Sequence, residues 1–198
     1  MKENNTERKI LKASLELFVR KGYHGTSIGD IMSKVGMTKG AFYSHFDSKG
    51  SLFLKLISDY RTLFLNEIFA ATNSGGGNAL DKIHRVFSSL AKFAVENTDL
   101  CVFLTFLTTE MKADVDFEPV LRSVYVDYQK FIAELIRQGI KQGIIKKELD
   151  PDLAALTFMA LHDGTLHQWV LGRQYIDGEA YVRTFRNIFV NGVSCQNG

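Results

Sequence analysis

The sequence has few of the residues that cross-link or interrupt a chain. It contains two cysteines, Cys101 and Cys195, among 198 residues, which are too few for a disulfide framework and are not spaced like zinc ligands. Only two prolines occur. There is no run of about 18 apolar residues and no apolar stretch near the N-terminus of the kind found in a secretion signal. These absences favour a cytoplasmic protein and argue against secretion or a membrane span.

The composition is that of an ordinary globular protein with an uneven distribution of charge. Apolar residues make up 45% and charged residues 23%, which excludes a disordered or collagen-like chain. The first 50 residues carry nine Lys/Arg against five Asp/Glu, a net charge of +4, whereas the remainder has a net charge of −2. A compact basic unit is what binding to nucleic acid requires, although a charge of this size is also common on a solvated surface.

The spacing of apolar residues at intervals of three and four predicts helices along nearly the whole chain and no pair of strands. Both prolines follow an acidic residue at an expected helix start, where the missing N–H of proline costs nothing. The sequence therefore predicts an all-α fold of about nine helices, with a three-helix head over residues 1–50 and a helical body over residues 51–198. The expected helices cover 6–21, a segment from the cap at 26 or 27 to 35, 39–45, 48–72, 79–96, 99–112, 119–142, 151–173 and 178–194.

Residues 26–46 have the spacing of a helix-turn-helix, with Gly36 at the point where the turn needs a positive φ. In its second helix Phe42 and Phe46 are expected to face inward. The opposite side is small and polar, and Lys39 there can donate a hydrogen bond to guanine or phosphate in a major groove. This polar surface consists of Thr38, Lys39, Gly40, Ala41, Tyr43, Ser44 and His45. The alternative is an ordinary helical hairpin with polar residues on its surface.

Two stretches of sequence extend this interpretation. ILKASLELFVRKGYHGTSI from Ile10 to Ile28, and KGAFYSHFDSKGSLF from Lys39 to Phe53, resemble the DNA-binding domain of the TetR (tetracycline repressor) and AcrR-like family of bacterial transcriptional regulators. The resemblance runs without a gap from Ile10 to Leu56. It implies a homodimeric, ligand-responsive regulator, most simply a repressor that a small inducer releases from a palindromic operator. The candidate DNA-binding residues are Thr26, Ser27, Thr38, Lys39, Gly40, Ala41, Tyr43, Ser44, His45 and Lys49.

The body is rich in phenylalanine, with twelve of the fifteen after Gly50. These rings are expected either to form the core or, in part, to line a cavity for an apolar or aromatic inducer. The candidate ligand-binding residues are Phe103, Phe106, Leu107, Tyr128, Phe131, Phe158, Met159 and His162. The last two helices are expected to form the dimer interface, with packing inside one subunit as the alternative. The candidate interface residues are Leu161, Thr165, Trp169, Val182, Phe185 and Phe189.

No constellation for catalysis or metal binding is present. His162 and His167 are five residues apart and do not share a helical face well, so they make a poor metal pair. His162 and Asp163 are neighbours, but no nucleophile motif accompanies them. No cofactor, metal or catalytic residue is therefore expected. The competing hypothesis is an α-helical enzyme or carrier in which the basic head is incidental.

Overall fold

The computed structural model describes residues 5–107 and 116–195, including all of their side chains except those of residues 106 and 107. Within these ranges the chain forms nine helices, which confirms the all-α prediction. An isolated antiparallel bridge joins Ile145 to Ser194. The helices are α1 Asn5–Lys21, α2 Ile28–Val35, α3 Lys39–Tyr43, α4 Lys49–Asn73, α5 Ala79–Glu96, α6 Thr98–Leu107, α7 Glu118–Lys141, α8 Pro151–Gly172 and α9 Gly178–Val193.

Polar side chains define the starts of several helices. Ser27 and Asp30 form a capping box at α2, in which each side chain bonds the backbone N–H of the other. Asp150 caps α8 and is followed by Pro151 as expected, because a proline in the first turn removes an N–H that has no partner within the helix. Thr38 is the residue before α3, but its side chain makes no capping hydrogen bond.

The chain divides into two compact units, each formed by two segments. The head unit comprises the described residues of Met1–Thr62 and Asp99–Arg122, and the body unit those of Leu63–Thr98 and Ser123–Gly198. The first half of α4 and nearly all of α6 belong to the head unit, whereas the sequence analysis divides the chain after residue 50.

Aromatic rings fill the core of the head unit. Phe18 on α1 packs against Tyr23, Phe53 and Phe103, with ring centroids 5.5, 5.8 and 6.1 Å apart. Phe42 on α3 is completely buried and lies 5.5 Å from the ring of Phe46. These contacts fix the short α3 on a rigid base, although a helix of five residues has little stability of its own.

A second aromatic cluster forms the core of the body unit. Phe158 on α8 is completely buried, and its ring lies 5.2 Å from Phe87, 5.5 Å from Phe185 and 5.0 Å from Phe189. The pairs with Phe87 and Phe189 are edge-to-face, and such a pair stabilises a core by about 0.5–1.5 kcal/mol beyond the area it buries. The cluster joins α5, α8 and α9. No helix among the described residues is long and apolar enough to cross a membrane.

Candidate nucleic-acid interface and ligand cavity

A sharp turn at Gly36 joins α2 to α3. Gly36 has φ 74° and ψ 33°, the left-handed conformation, and the Met37 N–H donates to the carbonyl of Met32 at 2.9 Å. A Cβ on Gly36 would meet no atom within 4 Å, so the need for glycine comes from φ alone. The left-handed conformation costs an L residue roughly 1–2 kcal/mol. The turn predicted from the sequence is therefore present at the expected residue.

The two sides of α3 differ as the sequence predicts. Phe42 and Phe46 are buried in the head core, and Ala41 is half-buried. The opposite side is open to solvent, with Tyr43 58% exposed. It carries Thr38, Lys39, Gly40, Tyr43 and Ser44 as exposed residues, with His45 half-buried beside them.

Lys39 and Tyr43 are the side chains of α3 best able to reach a ligand. Lys39 is exposed and forms no ion pair with any residue that the structure describes. Its stem passes over Gly29, where a Cβ would lie 3.2 Å from Lys39 Cε. The Tyr43 ring packs edge-on against Phe42 at 5.4 Å, which orients the exposed ring. Ser44 is less available, because its hydroxyl donates to the Ala41 carbonyl at 2.8 Å.

Thr26 and Ser27 have structural partners at the start of α2. Thr26 is buried, and its hydroxyl donates to the Gly22 carbonyl at 2.9 Å. The Ser27 hydroxyl donates to Asp30 Oδ2 at 2.6 Å. The hydrogen bonds from the side chain and backbone of Ser27, together with the nearby Lys21, hold the pKa of Asp30 below its usual value. Thr26 is thus a buried part of the head, whereas Ser27 remains at the surface.

Lys49 is bound within the head rather than free at its surface. Its ammonium donates to the carbonyls of Tyr23 at 2.8 Å and Thr26 at 3.0 Å, and lies 4.0 Å from the centre of the Tyr23 ring. The sequence analysis lists Lys49 among the candidate DNA-binding residues. The geometry instead shows a charged side chain that ties the start of α4 to the loop between α1 and α2.

The residues predicted to line one ligand cavity are dispersed. Phe103 belongs to the head core, whereas Tyr128, Phe158 and Met159 are buried in the body unit. Phe131 is half-buried against Phe69, with ring centroids 4.8 Å apart. The side chains of Phe106 and Leu107 lie outside the described part of the chain. Among the members of the predicted set whose side chains are described, only His162 lines the groove between α5, α8 and α9 in the body unit.

Tyr128 of α7 and His162 of α8 have neighbouring rings, whose centroids are 5.9 Å apart. The buried Tyr128 Oη and His162 Nδ1 have no hydrogen-bond partner in the part of the chain that the structure describes. The nearest carboxylate oxygen, Asp163 Oδ1, is 3.7 Å from His162 Nδ1, which is too far for a hydrogen bond. Burial lowers the pKa of His162 to about 4, so this imidazole is neutral near pH 7.

A groove of about 490 Å³ lies between α5, α8 and α9 in the body unit. Its volume falls within the roughly 300–1,000 Å³ typical of small-molecule sites. His162, Thr165, Trp169, Val182 and Phe185, which the sequence assigned to ligand or interface roles, all line it. The other lining residues are Phe87, Leu90, Ala91, Lys92, Ala94, Val95, Glu96, Leu166, Gly178, Glu179 and Tyr181.

Comparison with known proteins matches both parts of this architecture. Residues 10–56 match the family described as bacterial regulatory proteins, tetR family, and residues 80–189 match the C-terminal region described as BetI-type transcriptional repressor. The chain belongs to the TetR family. It is a helix-turn-helix transcriptional regulator, and the curated relatives named as regulators include repressors rather than enzymes.

Individual relatives of the TetR family extend over nearly the whole chain. An uncharacterised helix-turn-helix regulator of Lactococcus lactis is 33% identical over 170 residues, covering 82% of each chain. The fatty acid degradation regulator FadR of Bacillus halodurans is 20% identical with a TM-score of 0.84, covering 97% of this chain and 98% of that one. FadR of Bacillus subtilis, solved with stearoyl-CoA, is 21% identical with a TM-score of 0.80, covering 93% and 98%. At these identities the two structures establish a shared fold.

The interface residues expected from the TetR resemblance occupy three different environments. Phe185 and Phe189 are buried within the body core and so are not available to a second subunit. Thr165, Trp169 and Val182 line the groove. Leu161 alone among them is an exposed large apolar residue of α8. Other exposed apolar side chains on these helices are Leu153, Leu156 and Leu171 of α8 and Ile188 of α9.

The sequence analysis missed the contribution of α5 to the groove. Ala91, Ala94 and Val95 follow each other at spacings of three and one on α5, next to the buried Leu90. Small side chains beside large ones on one helix face indicate space as well as close packing. That signal was present in the sequence, but it cannot be distinguished from ordinary helix contact until the facing helices are known.

Proposed function

We propose that this TetR-family regulator is a repressor that binds a palindromic operator as a homodimer and leaves it when a small apolar or aromatic inducer binds the body. The observation that carries the proposal is the division of α3 into two faces. Phe42 and Phe46 seat the helix in the head core, while Lys39, Gly40 and Tyr43 stay free at its surface. A protein that works on operator DNA acts in the cytoplasm.

The exposed residues of α3 have complementary roles in this proposal. Lys39 can donate to the N7 and O6 acceptors of guanine or to a phosphate, and Gly40 lets the backbone approach the base edges closely. Tyr43 is placed to donate its hydroxyl to a phosphate. Thr26 and Lys49 contribute indirectly, because their hydrogen bonds hold the loop between α1 and α2 on which α2 and α3 are seated.

The DNA-binding part is tested with duplexes enriched from a random pool by the wild-type protein. Lys39→Ala and Tyr43→Phe are each expected to weaken binding about 5- to 150-fold, as loss of 1–3 kcal/mol predicts. Lys147→Ala, which removes the same charge from an exposed position of the body unit, is the matched control. Affinities of both α3 variants equal to that of Lys147→Ala at moderate salt would refute the role of α3.

The exposed faces of α8 and α9 support the homodimer. Leu153 and Leu171 are 63% and 60% exposed on α8, and Ile188 is 65% exposed on α9. Apolar side chains in such number on two adjacent helices favour burial against a symmetry-related copy, since a two-fold axis lets one patch cover itself. Two α3 helices related by that axis would read two half-sites of a palindrome.

The inducer part requires that a ligand prefer one state of the regulator. A coupling of about 1–3 kcal/mol alters DNA affinity 5- to 150-fold. In this chain the proposal is supported by the groove between α5, α8 and α9, whose lining is mostly apolar. The crystal structure of FadR with stearoyl-CoA shows that a relative of the same fold binds a ligand. The α4 helix runs through both units and is the proposed carrier of the coupling.

A further inference from the structure

The groove between α5, α8 and α9 has mostly apolar walls with a few polar groups set among them. Phe87, Leu90 and Phe185 are buried, and Ala91, Ala94 and Val182 are half-buried beside them. Trp169 lies at the end of the groove next to the start of α9, where Gly178 has no side chain to collide with the indole ring. A Cβ on Gly178 would come within 2.9 Å of the indole nitrogen. The groove is therefore shaped by the only tryptophan in the chain.

Three polar groups that line the groove have no hydrogen-bond partner among the described residues: the Thr165 hydroxyl, the Trp169 indole N–H and the Tyr181 hydroxyl. Thr157 and Thr184, which are also helical, donate to the carbonyls four residues earlier at 2.9 Å. The Thr165 hydroxyl does not. These three groups provide hydrogen-bond donors that no described residue uses, as expected of a recognition site.

The charges around the groove disfavour an anion. Lys92, Glu96 and Glu179 line it, which gives one positive and two negative side chains. The Lys92 ammonium is already engaged, since it donates to Glu67 Oε1 at 2.9 Å and lies 3.9 Å from Glu96. These carboxylates also raise the pKa of Lys92. His162 is neutral near pH 7, so a carboxylate or phosphate entering the groove meets no unpaired cation among the described residues that line it.

The groove lies on the side of α8 opposite the proposed dimer interface. His162, Leu166 and Trp169 are spaced by four and three and share one face of the helix. Leu171 follows Trp169 by two residues and Leu153 precedes it by sixteen. At 100° per residue, both offsets place the leucine about 160° around the helix from Trp169, on the other face. A dimer formed through the exposed leucines would leave the groove accessible.

From this geometry we propose that the groove is a binding site for an uncharged molecule with an aromatic or branched apolar body and one or two oxygen acceptors. The apolar body packs between Phe87, Leu166 and Val182, and the oxygen accepts from Thr165, Trp169 or Tyr181. Carboxylates and polyanionic thioesters are disfavoured by the net negative charge of Lys92, Glu96 and Glu179 at the groove. That such a ligand is the inducer rests on the function proposed above, whereas its binding to the groove does not.

Two probes that differ only in charge test the chemical class. Methyl 4-tert-butylbenzoate and 4-tert-butylbenzoate share one apolar body, and Trp169 reports binding because it is the single tryptophan. The ester is expected to change the fluorescence of Trp169 and to bind at least roughly tenfold more tightly than the carboxylate, a difference of about 1.4 kcal/mol. Equal binding of both compounds, or a saturating carboxylate signal without one from the ester, overturns the proposal.

Variants locate the site by calorimetry with the ester. Ala94→Phe fills the groove and is expected to lower affinity more than roughly tenfold, while Ala70→Phe, the same change at an exposed position of α4, leaves it unchanged. Thr165→Val keeps the shape but removes a donor, and is expected to lower affinity about 2- to 10-fold. If Ala94→Phe does not fold, Thr165→Val decides. Full affinity in Thr165→Val and in a folded Ala94→Phe overturns the assignment.

The same variants separate this site from its regulatory meaning. Ester binding in the absence of DNA that is lost in Ala94→Phe establishes the groove whether or not operator is released. Release of operator by the ester that persists in Ala94→Phe would overturn the groove as the inducer site, but would leave the proposed ligand response intact.

Discussion

The helices α3 and α8 show two different relations between sequence and function. In the five-residue α3, Phe42 and, just beyond the helix, Phe46 are buried, so that Lys39, Gly40 and Tyr43 stay exposed for recognition. In α8 twenty-two residues carry apolar side chains on all sides, some buried, some lining the groove and some exposed. When a helix has one apolar face, its sequence also identifies the opposite face as the one available for function. When a helix is apolar all round, its sequence does not identify that face.

The largest effects should come from the same substitution made in both regions. Phe42→Ala and Phe158→Ala each remove a completely buried ring, and each is expected to destabilise its unit by about 3–5 kcal/mol. Denaturant unfolding followed by circular dichroism measures this. Phe42→Ala should also abolish DNA binding, because α3 loses the buried ring that holds it against the head core. An α3 that still binds operator after Phe42→Ala would mean that the aromatic base does not fix it.

The exposed face of α8 can be tested without disturbing its core. Leu171→Glu combined with Ile188→Glu places charges at positions that are already solvent-exposed in the single chain, so folding should change by no more than about 0.5 kcal/mol for each. Sedimentation velocity should then show folded monomers, and operator binding should be lost.

Phe185→Glu is the informative contrast for this assembly. It places a carboxylate in the aromatic core beside Phe87 and Phe158, so it should unfold the body unit rather than yield folded monomers. A folded monomer from Phe185→Glu, or a persistent dimer of the double variant, would return the interface to the buried face that the sequence first suggested.

Lys39 and Lys49 sharpen the comparison within the head. Lys49→Met keeps the aliphatic stem but loses two hydrogen bonds to carbonyls and the contact with the Tyr23 ring, and should cost about 1.5–3 kcal/mol of stability. It should leave the salt dependence of DNA binding unaltered once the variant is folded. Lys39→Ala should do the reverse and reduce the slope against salt by about 1. If Lys49→Met also reduces the slope of DNA affinity against salt, Lys49 contacts a DNA phosphate after all.

Sequence could predict what is decided locally. A few neighbouring residues determine the capping box of Ser27 and Asp30 and the left-handed conformation of Gly36. The turn between α2 and α3 is determined locally in the same way. The partners of Lys49 could not be found in this way, because the carbonyls of Tyr23 and Thr26 precede it by 26 and 23 residues. From sequence alone, a lysine near a helix start fits a phosphate ligand as well as it fits a structural contact. The position of the neighbouring loop is needed to decide between them.

The body shows the same limit on a larger scale. From the sequence, Phe158 was compatible with core or cavity and Phe185 with core or dimer interface, because each of those sites favours a large aromatic side chain. Only the packing of α5 against α8 and α9 makes them core and leaves Trp169 at the groove. Helix existence was therefore predictable from periodicity, whereas the assignment of faces in α8 required the neighbouring helices.

The smallest expected effect concerns acid stability on α8. Burial raises the pKa of Asp163 to about 6, although the side chain is 48% exposed, and burial lowers that of His162 to about 4. A raised carboxyl pKa contributes stability below its unfolded value near 3.9 that is lost as pH rises through 6. A lowered imidazole pKa has the opposite sign, since its contribution is full above 6.5 and is lost as pH falls through 4.

Between pH 4 and 6 the two residues therefore oppose each other, and the wild type should show a shallow net dependence from this pair. Asp163→Asn removes the carboxyl and leaves the His162 contribution, so the urea midpoint of the variant should rise more steeply with pH than that of the wild type. Asp152→Asn, at an acidic residue of the same helix whose side chain is 55% exposed, is the control for loss of one charge. Parallel profiles for wild type and Asp163→Asn over this range would show that Asp163 titrates as an ordinary surface carboxylate, and would remove α8 from any account of pH sensitivity in the body.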